Sequence, residues 1–284
     1  MRLVLCNEVL RDRDFAAQCT YAAALGYDAL EVAPFTLGDD PLSLPASRIV
    51  GARRAVADAG IAISGLHWLL VRPAVGLSVT SADAATRART IEAMRRLVGL
   101  CAELGGRYLV HGSPAQRTTP HGVAPATATA WIVEALHAAA QAASDAGVVY
   151  LLEPLPPDET DQVNTLDQAV AIVREVGSPA LLTMLDTKSV ALAENEPAVD
   201  LAKRWLPTGL IGHVQVNDRN RRGPGQGNDR FAELLAALVD GHYHGDVAVE
   251  PFDYVPDGPG CAARAAGYLR GLLEAIEAPS RFRR

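Results

Sequence analysis

The segment Val149-Tyr-Leu-Leu-Glu153 is a short apolar run that ends in a side chain able to bind a metal ion. The same pattern returns in Leu181-Leu-Thr-Met-Leu-Asp186, Ile211-Gly-His-Val-Gln215 and Val247-Ala-Val-Glu250. Successive segments are about one β-strand plus one α-helix apart, so their oxygen ligands are expected to converge at one end of a parallel barrel. The pattern predicts an enzyme that uses a divalent metal ion.

The rest of the chain continues this alternation of apolar runs and helical patterns. The runs are mostly continuous, which is typical of strands buried on both faces of a parallel sheet. Strands are predicted at residues 3–6, 29–33, 61–69, 108–111, 149–155, 181–186, 213–217 and 247–252. Helices are predicted at residues 14–25, 46–59, 84–104, 127–146, 166–176, 197–205, 229–238 and 262–276. We therefore expect an α/β fold, a single (β/α)8 TIM barrel, in one domain over residues 1–284.

Composition agrees with one barrel that acts on small molecules. The 284 residues are 49% hydrophobic and 5% aromatic, which suits a large aliphatic core. The formal net charge of −7 argues against a nucleic-acid partner, because that affinity comes from Lys and Arg neutralising phosphates. The chain shows no membrane-length apolar run, no secretory segment at its start and no CxxC spacing among its cysteines. We therefore expect a cytoplasmic protein with reduced cysteines and no membrane partner.

Three acids among the strand-end residues carry the metal prediction. An ionised carboxylate in an apolar strand is costly to bury unless it is paired or bound to a cation. No matching set of Lys or Arg stands at the predicted strand ends, so a divalent ion is expected to neutralise Glu153, Asp186 and Glu250. With the amide oxygen of Gln215, they form an oxygen-rich set that suits Mn²⁺ or Mg²⁺. Glu31 also ends a predicted strand, and it is expected either at the site or in an ion pair at the barrel rim.

The order and spacing of several motifs resemble one known family. These motifs are Gly26-Tyr-Asp-Ala-Leu-Glu31, Glu153-Pro-Leu followed by Glu159, Leu185-Asp186-Thr187, residues 212–227 and Glu250-Pro-Phe252. The sequence is similar to the xylose isomerase-like barrels of sugar phosphate isomerases and epimerases, which include ketose 3-epimerases of the tagatose 3-epimerase type and hydroxypyruvate isomerases. The resemblance implies that Glu153, Asp186 and Glu250 bind metal, with both glutamates also moving the proton. It further implies that Glu159 and Arg221 contact the substrate.

The chain departs from ketose 3-epimerases at two positions. Where their seventh strand supplies a His ligand, this chain has Gln215, and hydroxypyruvate isomerases have a similar His-x-Gln. Where they carry a substrate-contacting His after the sixth strand, this chain has Ser189. A hydroxyl reaches less far than an imidazole and cannot be cationic, so we expect the substrate to be held differently at Ser189.

Other polar and aromatic residues are candidates for substrate binding. His67 could hydrogen-bond a sugar or pack in the core, and the adjacent Trp68 offers an apolar surface for a sugar to stack on. His111 opens a loop that ends at Arg117. This loop could hold a sugar hydroxyl or a phosphate, or Arg117 could form a salt bridge at the rim. Arg221 belongs to a local basic loop, and Arg suits anionic or polyhydroxylated ligands.

These features predict a metal-dependent isomerase or epimerase of a ketose, a keto-sugar or a related polyhydroxy carbonyl compound, acting through a metal-stabilised enediolate. Glu153 and Glu250 are the expected proton carriers. Mn²⁺ is the expected ion, with Mg²⁺, Co²⁺ or Zn²⁺ as alternatives. A lyase or dehydratase acting on a keto-sugar would use the same proton abstraction, and a non-catalytic sugar-binding subunit is a further alternative. The family usually forms dimers or tetramers, so a homodimer or homotetramer is expected.

Overall fold

The barrel consists of parallel strands that pair in chain order. The structure is a computed structural model, and it describes residues 1–71 and 76–277. Within these residues the strands form a closed barrel in which β1 pairs with both β2 and β8. The strands are β1 Arg2–Cys6, β2 Ala29–Val32, β3 Ala62–Leu66, β4 Tyr108–His111, β5 Val149–Leu152, β6 Leu181–Asp186, β7 Ile211–Val216 and β8 Asp246–Val249. The predicted TIM barrel is confirmed.

Helices surround this barrel and connect its strands. In the part of the chain that the structure describes, they are α1 Phe15–Ala24, α2 Ala46–Asp58, α3 Ala84–Leu104, α4 Pro114–Arg117, α5 Pro125–Ala146, α6 Leu166–Val176, α7 Thr187–Ala193, α8 Ala198–Trp205, α9 Ala232–Asp240 and α10 Gly258–Glu277. The two longest of them that precede a strand, α3 and α5, end at Gly105 and Gly147 with φ of 82° and 70°. This left-handed conformation favours glycine and turns the chain into the next strand.

Several predicted boundaries are wrong, and two strand ends have a local cause. Strand β5 ends at Leu152 rather than at residue 155, because Pro154 and Pro156 have no N–H for the ladder. Strand β3 ends at Leu66 rather than at residue 69, since Trp68 adopts a φ of 51°. Helix α9 begins at Ala232 rather than at residue 229. The helices α4 and α7 were not predicted, because one or two turns leave little periodic pattern.

The two ends of the barrel differ in how charge is arranged. At the amino end, Asp246 on β8 accepts hydrogen bonds from Arg2 and Arg107. At the carboxyl end, the βα loops bring together acidic side chains from β5, β6 and β8. Among residues 1–71 and 76–277, no helix combines the length and the apolar composition needed to cross a membrane.

Candidate metal and active site

Three buried carboxylates converge at the carboxyl end of the barrel. Asp186 is the last residue of β6, while Glu153 and Glu250 directly follow β5 and β8. Their backbones still follow the sheet, since the Glu153 N–H donates to the His111 carbonyl and the Glu250 N–H to that of Val216. One oxygen from each of the three acids lies within 4.8 Å of one from each of the others. This is the convergence that the sequence predicted.

Glu153 sits in a space that its neighbours leave open for its carboxylate. A Cβ on Gly112 would collide with Glu153 Oε2, so any other residue there would displace this carboxylate from its position. Burial raises the pKa of Glu153 well above its usual range, and the charges of Glu250 and Asp186 raise it further. Lys188 and Arg117 act in the opposite direction without outweighing these effects. Without a cation, this carboxyl group therefore favours its protonated form.

Glu250 has a different environment, because nitrogen donors contact it directly. Its Oε1 accepts a hydrogen bond of 3.0 Å from Trp68 Nε1 and lies 3.2 Å from His67 Nδ1. Burial raises the pKa of Glu250 to about 7, although the hydrogen bond and charge of His67 lower it. The pKa of His67 itself is depressed by burial, but the carboxylates of Glu8, Glu250 and Glu31 outweigh that effect and hold it well above the usual range. His67 is thus a buried cation beside Glu250.

Asp186 is oriented by the residues that follow β6 and β7. Its Oδ1 accepts the backbone N–H of Ser189 at 2.6 Å, which caps α7, and its Oδ2 accepts from Asn217 Nδ2 at 3.0 Å. Each oxygen keeps a lone pair beyond these bonds. The carboxylate is therefore held in one orientation while it can still bind a cation.

Gln215 provides the clearest indication that a cation belongs here. It pairs with Asp186 across the β6–β7 ladder, and its Nε2 donates to Glu31 Oε1 at 2.7 Å. This bond fixes which way the amide faces. Its Oε1 is buried and has no hydrogen-bond partner. A buried acceptor without a donor is costly unless a ligand completes it, so this oxygen and the three carboxylates fit a divalent ion that prefers oxygen.

The family of the chain follows from a match that covers most of its length. Residues 19–272 match the family model described as a xylose isomerase-like TIM barrel. The chain belongs to this family. The match begins within α1 and ends within α10, so it contains all of the candidate metal ligands.

Relatives of known name are sugar epimerases. The chain is 31% identical to an L-ribulose 3-epimerase of Mesorhizobium japonicum over 210 residues, which are 72% of this chain and 66% of the relative. It is 30% identical to a D-psicose 3-epimerase of Agrobacterium fabrum over 234 residues, which are 81% of this chain and 76% of the relative.

Solved structures share the fold at lower sequence identity. A D-psicose 3-epimerase crystallised with D-fructose superposes with a TM-score of 0.81 at 24% identity, covering 96% of this chain and 99% of the other. A 3-keto-D-glucoside 4-epimerase from E. coli superposes with a TM-score of 0.82 at 20% identity, covering 95% and 99%. At these identities the likeness shows the fold alone.

The predicted substrate residues of this xylose isomerase-like chain divide into two groups around the acids. His67 and Trp68 lie on the Glu250 side. The Trp68 ring stacks on Phe252 with centroids 6.1 Å apart and lies 6.0 Å from Phe35. These rings form an aromatic wall next to the proton-carrying candidate Glu250.

Glu159 and Arg221 lie close to each other near Phe252, together with Lys188, which the sequence pattern did not single out. Lys188 Nζ donates to Glu159 Oε1 at 2.7 Å, and Arg221 Nη2 lies 3.8 Å from the same oxygen. Both cations also face the ring of Phe252, at 4.6 Å and 5.9 Å from its centroid. Arg221 is 59% exposed, whereas Lys188 is only 2% exposed. Lys188 is therefore the stronger local charge.

His111 and Ser189 are both buried near the acids, and the backbone N–H of Ser189 donates to Asp186. His111 Nδ1 lies 2.8 Å from the Tyr150 hydroxyl, and burial together with the charge of Arg117 lowers the pKa of His111 to about 3. The imidazole is therefore neutral. The Ser189 hydroxyl is buried without a hydrogen-bond partner and lines a small cavity with Pro154 and Asn164.

Glu31 is fully buried rather than at the barrel rim, and it is the centre of a buried network. Its Oε2 accepts from the Tyr108 hydroxyl at 2.5 Å and lies 2.8 Å from His213 Nε2, while Oε1 accepts from Gln215. Burial alone would raise the pKa of Glu31, but His213, His67 and the Tyr108 hydroxyl lower it to about 2. An ionised Glu31 holds the Gln215 amide. Sequence spacing alone did not reveal this role.

The sequence shows no matching set of Lys or Arg at the predicted strand ends, but in the structure three cations act on the acids. Lys188 and Arg117 both lower the pKa of Glu153, and His67 lowers that of Glu250. Lys188 was not singled out in the sequence because it follows β6 within the short helix α7. These cations do not compensate the effects of burial and of the neighbouring acids, since the pKa of Glu153 stays well above its usual range.

Proposed function

We propose that this protein is a divalent-metal-dependent epimerase that inverts a carbon next to the carbonyl group of a ketose. One observation carries the proposal: Glu153 and Glu250 approach each other and Asp186 within 4.8 Å, although their surroundings differ. Two acids in unlike environments are the arrangement that separates a proton donor from a proton acceptor. The names of the ketose 3-epimerase relatives support the same reaction.

Glu153, Asp186, Gln215 and Glu250 would hold the ion. Their oxygen donors suit Mn²⁺, which we propose as the natural ion, and Mg²⁺, Co²⁺ or Zn²⁺ could substitute. When bound, a divalent ion acts as a Lewis acid on the substrate carbonyl and makes the neighbouring C–H more acidic.

The two glutamates would move the proton on opposite faces of the substrate. His67 and Trp68 stabilise the ionised form of Glu250, so its carboxylate suits removal of the proton from carbon. The C–H electron pair then moves towards the carbonyl and gives an enediolate of the sugar. Glu153, which burial and neighbouring acids bias towards protonation, would return a proton to the same carbon. The reverse reaction exchanges these roles.

Substrate contacts complete the proposal. We propose that Trp68 packs on the sugar, that Glu159 and Arg221 contact its hydroxyl groups, and that His67, His111 and Ser189 shape the site around them. We also propose that the protein is cytoplasmic and forms a homodimer or homotetramer. The four cysteines are all buried and free, which supports a location in the reducing cytoplasm.

Solvent exchange tests the reaction. The Mn²⁺-loaded protein is incubated in D₂O with D-psicose or L-ribulose, and NMR follows the proton at C3. We expect deuterium at C3 together with the C3 epimer. An aldose product would instead indicate isomerisation, and loss of water or an aglycone would indicate a lyase. Absence of deuterium uptake across a panel of ketoses and keto-sugars would contradict the proposal.

A further inference from the structure

Arg117 is the last residue of α4, and its guanidinium lies deep among the loops at the carboxyl end of the barrel. It is fully buried. Its Nη1 donates to the carbonyl of His111, the last residue of β4, at 3.3 Å. The next residue, Gly112, faces the Glu153 carboxylate. Directly after Arg117, the Thr118 hydroxyl donates to that of Thr160, which neighbours Glu159. Arg117 is thus bonded to the end of β4, and its neighbour Thr118 is bonded to the loop after β5, which also contains Glu153.

The free edge of this guanidinium is the unusual feature. Nε and Nη2 of Arg117 are buried and have no hydrogen-bond partner. These two nitrogens point their N–H groups in parallel along one edge, which matches the two oxygens of a carboxylate or phosphate. In Arg2 the same edge binds a carboxylate, because its Nε and Nη2 donate to Asp246 Oδ1 and Oδ2 at 2.8 Å each. Arg117 has this fork without the anion.

The nearby acids are already engaged elsewhere. Glu159 bonds Lys188, and Glu153 belongs to the candidate metal site. Within residues 1–71 and 76–277, no carboxylate oxygen lies within 4.0 Å of Arg117. Both acids nevertheless raise the pKa of Arg117 against the larger effect of burial, which lowers it to about 10, so they lie close by. At neutral pH the group is a buried cation with two unused donors.

We propose that Arg117 binds the substrate and that this substrate carries an anionic group, a carboxylate or a phosphate, which the free edge of the guanidinium receives. The inference rests on the proposed epimerase function and specifies its substrate class. Arg117 shares its burial with the rest of the site, since Glu153 is 8% and Glu250 is 3% exposed. A buried, unpaired guanidinium is costly, and an anionic ligand would remove that cost.

A matched series of ligands tests this inference. D-fructose, D-fructuronate and D-fructose 6-phosphate share a ketose skeleton and carry at C6 a hydroxyl, a carboxylate and a phosphate. Calorimetry with the Mn²⁺-loaded protein should show at least one anionic ligand binding at least about tenfold more tightly than D-fructose. The preferred member shows whether the anion is a carboxylate or a phosphate.

Two variants assign the preference to Arg117. Arg117→Lys keeps the charge but loses the parallel donors, and Arg117→Met loses both. Each should weaken the preferred anionic ligand at least about tenfold while changing D-fructose affinity less than about threefold. Arg89→Lys, on the outer helix α3, is the matched control and should change neither affinity. A purely structural Arg117 would lower stability and weaken all three ligands equally.

Because the ligand series measures affinity, its result does not depend on whether the proposed reaction occurs. If no ketose exchanges its C3 proton, the proposed function fails, yet the ranking of the three ligands still decides the role of Arg117. If Arg117→Met does not fold, Arg117→Lys, which keeps the charge, decides the assignment, and a parent protein without a preference for the anionic ligands overturns the inference by itself. The inference is overturned if the parent binds all three ligands within about threefold of one another, or if the variants lose the neutral and anionic ligands alike.

Discussion

The two ends of strand β8 carry acidic side chains that have opposite surroundings. At the amino end, Asp246 is enclosed by Arg2, with two bonds of 2.8 Å, and by Arg107, with two of 3.0 Å. At the carboxyl end, Glu250 lies within 4.8 Å of two further acids, Glu153 and Asp186. One end neutralises its charge with the chain's own side chains, and the other gathers negative charge.

This difference separates structural acids from functional ones. The charge of a buried carboxylate that the chain pairs internally is compensated within the fold, and removing a partner would leave that charge unpaired. Three carboxylates close together are unfavourable for the isolated chain, and so they mark the end at which a cation is expected. The unpartnered oxygen of Gln215 lies at the same end. In a (β/α)8 barrel this is also the end where substrates bind.

The largest expected effect is on turnover. Glu153→Gln and Glu250→Gln keep an oxygen that can bind metal but remove the group that accepts a proton. Each should lower turnover about 10²–10⁴-fold, with a modest fall in metal content. Initial rates and elemental analysis check this, with the exposed Glu274→Gln on α10 as the control. Rates for both site variants within about tenfold of the parent would refute their catalytic role.

A pair of substitutions tests the contrast between the two ends. Asp246→Asn should lower the free energy of unfolding by about 1–3 kcal/mol, because it weakens bonds to two partly exposed arginines, and should leave Mn²⁺ affinity unchanged. Asp186→Ala, which removes the donor oxygen altogether, should do the reverse, with a large loss of Mn²⁺ affinity and a smaller change in stability. Urea denaturation and calorimetric Mn²⁺ titration measure both. Loss of Mn²⁺ binding in Asp246→Asn would contradict the distinction between a structural acid at the amino end and metal-binding acids at the carboxyl end.

The pH dependence of stability provides a further test. Folding raises the pKa of Glu250 from 4.5 to about 7. Its contribution to the stability of the metal-free protein is therefore fully present below pH 4.5 and is lost as the pH rises through about 7. The stability difference between the parent and Glu250→Gln should fall over this range. Urea midpoints between about pH 4.5 and pH 8 measure it, and saturating Mn²⁺ should reduce the fall. A difference that grows with pH would contradict the assignment.

The smallest effect is expected at Gln215. An imidazole can bind a metal through one nitrogen and donate to Glu31 through the other. Gln215→His should therefore keep Mn²⁺ affinity within about tenfold of the parent, whereas Gln215→Leu, which can do neither, should lose more. Mn²⁺ titration of both variants compares them. Equal losses would show that the position does not act as a ligand.

The sequence predicted the parts of this account that depend on strand spacing. Glu153, Asp186 and Glu250 end or directly follow successive strands, and parallel pairing alone brings them to one end. Contacts between distant loops were beyond that reasoning. The ion pair of Lys188 with Glu159 depends on how α7 meets the loop after β5.

Buried networks were also beyond the sequence pattern. Glu31 reads as a strand-end acid like the other three, yet its contacts with Tyr108 and His213 come from β4 and β7 across the barrel. Arg117 reads as a rim residue, because Arg is rarely buried without a partner. The three-dimensional structure is needed to distinguish these buried acids and cations from acids and cations that are exposed to solvent.

Crystallography with Mn²⁺ tests the central claim most directly. A crystal of the protein soaked in Mn²⁺ and measured at the manganese absorption edge should show one anomalous peak per chain at the carboxyl end of the barrel. We expect it bonded to oxygens of Glu153, Asp186, Gln215 and Glu250, with the ion pair of Asp246 unchanged at the other end. Ordered side chains without any anomalous peak between them would contradict the account.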